Sequence, residues 1–89
     1  MRHAGTEALG GIAGLLASLR AVPLLNEKRP GVFYLRSKAF VHFHEDGPDV
    51  YADVRSPGEA SFSRLRVTTR TGQRQLLRIA RDACREMHG

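Results

Sequence analysis

The chain has 89 residues, of which 42% are hydrophobic, a single cysteine and a net charge of +5, the size and composition of one folded domain spanning residues 1–89. These values exclude a disulfide scaffold, a disordered tail and a large enclosed active site, and leave a shallow surface site as the most to expect. The charge is uneven: after Ser61, Arg64, Arg66, Arg70, Arg74, Arg78, Arg81 and Arg85 face only Asp82 and Glu86, so that this segment holds the whole +5.

The apolar run from Ala8 to Leu19 follows Met1-Arg2-His3, the outline of a targeting peptide. Glu7 and Arg20 bracket it, no small-residue cleavage pattern precedes Val22, and it is shorter than the roughly 18 residues a bilayer span needs. A core helix in a cytoplasmic protein without membrane contact is the expectation. Leu9, Ile12, Ala13, Leu16 and Leu19 recur at helical spacing between a Thr6 N-cap and Pro23, predicting one helix over about Glu7 to Ala21. Gly10, Gly11 and Gly14 weaken it, which suggests a close approach to a sheet.

Leu24 to Gly31, with Asn26 and Pro30, reads as a loop. Val32 to Arg36 is rich in strand formers, and a Ser37-Lys38 turn leads into a strand over Ala39 to Glu45. That turn pairs Leu35 with Phe40 and Phe33 with His42. Glu45 to Asp49 then turns the chain into Val50 to Arg55, and a fourth strand is predicted within Phe62 to Thr68 after the Ser56-Pro57-Gly58-Glu59 loop. The last helix is predicted from Thr71 to Gly89 with Leu76, Leu77, Ala80, Ala83, Cys84 and Met87 inward, making Cys84 a buried thiol. Helix, four strands, helix, with connections too short for parallel crossovers, predicts an α+β two-layer sandwich: a four-stranded antiparallel sheet with both helices on one face.

The most informative residues lie between Ala39 and Arg55. Period-2 alternation puts Val41, Phe43, Val50, Ala52 and Val54 on the helix-covered face, and Phe40, His42, His44, Tyr51, Asp53 and Arg55 on the open one. Pairing around the tip sets His44 opposite Tyr51 and His42 opposite Asp53. His42, His44 and Asp53 are candidate metal ligands, since two imidazoles and a carboxylate suit a borderline cation, but a zinc site usually takes three or four protein ligands, and His3 and His88 sit near the chain ends. The structural alternative has His42 donating to Asp53 while His44 caps the turn.

No nucleophile elbow, phosphate loop or dinucleotide fingerprint occurs, so no catalytic residue and no cofactor is assigned, although Ser61 and Ser63 lie in the same half of the molecule. Arg74, Arg78, Arg81 and Arg85 repeat at helical spacing opposite the core stripe, a basic ridge whose plain interpretation is a solvated face with pairs such as Arg78 to Asp82. The stretch from Gly31-Val32-Phe33-Tyr34-Leu35 through AFVHFHED and YADVR resembles the core of small uncharacterised bacterial proteins over about half of the chain. That resemblance implies a compact α+β domain of unassigned function. The leading expectation is a binding or interaction module, with the open face as its working surface for a ligand or for a second copy in a homodimer. Nucleic acid at the arginine ridge and a metal-dependent site at the histidines are the alternatives.

Overall fold

The computed structural model describes residues 1–88 as β1 (Arg2–His3), α1 (Thr6–Gly10), α2 (Ala13–Arg20), β2 (Leu25–Arg29), β3 (Val32–Leu35), β4 (Lys38–Asp46), β5 (Asp49–Val54), β6 (Ser63–Arg66) and α3 (Arg70–His88). The predicted helix end at Gly89 lies outside the described residues. All strand pairs are antiparallel in the order β2-β3-β4-β5-β6, and β1 adds to β4 beyond the end of β3. The α+β class and the antiparallel sheet are as expected, with two more strands than the four predicted.

Leu9, Ile12, Leu15, Leu16 and Leu19 from the α1–α2 segment and Leu76, Ala80 and Ala83 from α3 share one core with Phe33, Val41, Phe43, Val50, Ala52 and Val54 of the sheet. Both helical segments therefore cover the same sheet face. None of the described helices is long and apolar enough to cross a membrane. Cys84 is buried, as expected, and its thiol donates to the Pro23 carbonyl at 2.7 Å.

Several expectations are corrected. The first helix is two: α1 ends at Gly10, the chain turns through Gly11 and Ile12, and α2 begins at Ala13, while Gly5 rather than Thr6 occupies the N-cap of α1. Gly10 and Gly14 do not mark a close approach, because a Cβ on either would meet nothing within 4 Å. Leu24 to Gly31 is not a loop but mostly the edge strand β2, which pairs with β3 despite its polar composition. Such a strand shows no alternation because backbone pairing, not side-chain burial, holds most of it.

The third strand's register also differs. The turn residues are Arg36 and Ser37, with Arg36 in the left-handed region at φ 58°, so Leu35 pairs with Lys38 and Tyr34 with Ala39. Phe33 then pairs with Val41 and Val32 with His42, leaving Phe40 as an extra residue in a bulge. A bulge breaks the period of two, and this is why Phe40 is not on the open face: it is 1% exposed and packs in the core beside Val41. Phe33 and Leu35 are buried as well, so the open face takes Val32 and Tyr34 in their place.

The start of α3 lies one residue earlier than predicted. Thr69 Oγ1 accepts the Gly72 N–H at 3.2 Å, filling one of the donors that a helix start leaves unpaired. This first turn presses against the exit of β6, where Gln73 Nε2 donates to the Val67 carbonyl at 3.0 Å.

Candidate functional site

The β4–β5 pairing agrees residue for residue with the expectation: His42 faces Asp53 and His44 faces Tyr51. It is specified from both ends, by the short Gly47-Pro48 connection at the tip and by the burial of Val41, Phe43, Val50, Ala52 and Val54 on the other face. One step of slippage would send the histidines into the core and the valines into water.

Asp53 is the centre of the cluster and, among the described residues, the only buried charged side chain, at 8% exposure. Arg64, directly across from it on β6, donates through Nε to Oδ1 at 2.8 Å and through Nη2 to Oδ2 at 3.1 Å. This two-pronged hold fixes the carboxylate plane and leaves Oδ2 turned toward the histidines. His44 Nε2 lies 3.1 Å from Oδ2 and His42 Nε2 lies 3.6 Å from it. The expected division of roles is not found: His44, rather than His42, makes the closer contact with Asp53, while His42 stands just beyond hydrogen-bond range. The imidazole rings meet edge to face with centroids 4.7 Å apart.

Further residues frame the cluster. Phe62, 38% exposed in the segment leading to β6, sets its ring edgewise on His42 at 5.0 Å. The Arg55 guanidinium lies over the Phe62 ring, 4.7 Å from its centroid, and donates through Nη2 to the Ala39 carbonyl at 3.3 Å. Tyr51 sits half-buried between His44 and Arg66. His3, on β1, pairs across from His44 and so belongs to the rim of the same face. Of the six residues expected on the open face, His42, His44, Tyr51, Asp53 and Arg55 are there and Phe40 is not. Arg64, Phe62 and His3 were missed as members of the site, and only the register of β6 and the pairing of β1 would have revealed the first and the last.

No family model, curated protein or solved structure matches this chain.

The electrostatics follow from the packing. Arg64's hydrogen bonds hold the Asp53 carboxyl below its ordinary value, outweighing the opposing effect of burial, with smaller help from the histidines. Burial first, then the neighbouring His44, pulls the His42 imidazole below its ordinary value, and Asp53 only partly offsets this against His3 and Arg64. His42 is therefore held toward the neutral form, in which a ring nitrogen keeps a free lone pair.

Both shifts make the fold sensitive to acid. The unfolded chain protonates His42 near its ordinary 6.5 before the folded chain does, so stability falls as pH drops below that value. Asp53 stabilises the folded state fully above its ordinary 3.8, and that contribution is lost as pH falls through the lower folded value. Urea unfolding midpoints between about pH 7 and pH 5 are expected to decline for the wild type and to decline less for His42→Gln. Equal slopes for the two proteins would contradict the His42 assignment.

The ridge residues Arg74, Arg78, Arg81 and Arg85 all lie exposed on α3. The expected pair between Arg78 and Asp82 is absent, because Asp82 engages Arg85 at i+3 instead.

Proposed function

We propose that this chain is a small bacterial, cytoplasmic binding module whose open sheet face holds a divalent transition-metal ion between His42, His44 and Asp53. The observation that carries the proposal is convergence: one nitrogen from each histidine and one carboxylate oxygen lie within 4.8 Å of one another. Metal–ligand bonds of about 2.0–2.1 Å in tetrahedral geometry place neighbouring donor atoms about 3.3–3.4 Å apart. The two histidine–aspartate separations, 3.1 and 3.6 Å, bracket that edge. Only the separation between the two histidines has to close, by rotation of half-exposed rings.

The supporting chemistry is consistent. Two imidazoles and one carboxylate suit zinc and its neighbours in the first transition row, and they leave coordination positions toward solvent for a ligand. Arg64 matches the outer partner that ligating carboxylates usually have, holding Oδ1 through Nε and leaving Oδ2, which it also touches through Nη2, a further lone pair for the ion. The single thiol of Cys84, buried and without a cysteine partner, favours a reducing compartment.

Zinc titrated into chelator-stripped protein, followed by NMR at the imidazoles and at the amides of β4 and β5, is expected to give saturable shifts centred on His42, His44 and Asp53. A His42→Ala/His44→Ala double variant should lose them. Absence of saturable shifts in the wild type would reduce the cluster to a structural ion-pair network and end the proposal.

A further inference from the structure

The ridge on α3 is longer than its four predicted members. At 100° per residue, Arg70, Arg81, Arg74, Arg85 and Arg78 fall within an arc of about 80°, spread over about 22 Å of helix. All five are exposed. Elsewhere in the basic C-terminal segment the arginines are neutralised: Arg64 by Asp53 and Arg66 by Asp49. Within the ridge only Arg85 has a carboxylate partner among the described residues. Arg70, Arg74, Arg78 and Arg81 stand with like charges at i, i+3 and i+4, a spacing that destabilises a helix unless counter-charge arrives from outside.

The shape and chemistry of the ridge select the partner. Its apolar stripe, Leu76, Ala80 and Ala83, is buried in the core and cannot enter a lipid surface. Among the described side chains the arc itself holds no aromatic ring on which unpaired bases would stack, and the large apolar side chain that borders it, Leu77, is half-buried against the core and too little to form the dry centre of a protein interface. What it offers is a convex row of guanidinium forks, the donor geometry that matches phosphate oxygens two at a time. We infer that α3 is a docking surface for the phosphate backbone of duplex nucleic acid, binding without base readout. This inference concerns a different surface from the metal site and stands apart from it.

The test is fluorescence anisotropy of a labelled DNA duplex of mixed sequence, titrated with the full chain at about 50 and about 200 mM salt. With four phosphates neutralised, the slope of log K against log salt is expected near about −3.6, a loss on the order of 100-fold between the two conditions. A second duplex of unrelated sequence should bind alike. The Arg74→Gln/Arg78→Gln/Arg81→Gln/Arg85→Gln variant, whose changes are all exposed, should unfold at the same or a slightly higher temperature, since it relieves like-charge repulsion, and lose most of the affinity and most of the slope. Three results would overturn the inference: no binding at the lower salt, unchanged affinity and slope in the quadruple variant, or equal competition by polyglutamate, which would point to an acidic protein instead.

Discussion

A Gly72→Ala substitution is expected to lower the melting temperature by roughly 10–25 °C, although it changes a single hydrogen into a methyl group. The added Cβ would overlap the Arg66 carbonyl oxygen and lie 2.9 Å from the Arg66 carbonyl carbon, and both obstacles are backbone. Relief requires α3 to lift from the exit of β6. That movement would pull Leu76 and Ala80 out of the core and break the Thr69 cap and the Gln73 bond to Val67. A loss of about 3 kcal/mol is a large share of the 5–15 kcal/mol that holds a typical domain together. Gly10→Ala is the control, since a Cβ there meets nothing within 4 Å. It should leave stability unchanged or raise it by up to about 1 kcal/mol through helix propensity. Differential scanning calorimetry of the two variants decides the matter, and equal melting temperatures would show that the α3–β6 junction yields easily.

The second large effect is expected at Asp53. In Asp53→Asn, one amide oxygen remains but the charge that balances Arg64 and would bind a cation is gone. Zinc affinity measured by calorimetry is expected to fall by more than about 100-fold, beyond the range seen when only an outer partner of a ligand is altered. Stability should fall as well, by about 1–3 kcal/mol in urea unfolding, because the hydrogen-bonding set around an 8% exposed side chain no longer matches. The two readings separate the roles of the carboxylate. A variant that is less stable yet binds zinc as before would remove Asp53 from the ligand set while leaving its structural part intact.

The part of this architecture legible in the sequence was the part governed by strict alternation. Val41, Phe43, Val50, Ala52 and Val54 form an unbroken inward pattern across a short tip, and that pattern alone places His42 opposite Asp53. Legibility ended where a backbone conformation departs from what residue type suggests. Arg36 adopts a positive φ that favours glycine or asparagine, so the β3–β4 turn falls one residue earlier than Ser37-Lys38 implies. The Phe40 bulge follows from that shift and returns a large apolar side chain to the core. Arg64 was visible as one basic residue among seven, but its role needs the β5–β6 register, which sets it across from Asp53 and which a four-residue strand does not announce. β2 was hidden for a related reason. Its Asn26, Glu27, Lys28 and Arg29 carry the composition of a surface loop while their backbone completes the sheet.

An open sheet of this order ends in two raw borders, and raw borders are where proteins fuse into fibrils. Here each is poor material for such growth. The β2 border presents Lys28 and Arg29 and stops at Pro30, which has no amide hydrogen to offer a neighbour, and β6 is only four residues long with two arginines. The same charges that disguised β2 as a loop make its border a poor template for a second molecule, so that the face rich in aromatic rings and histidines is not bounded by edges that invite stacking.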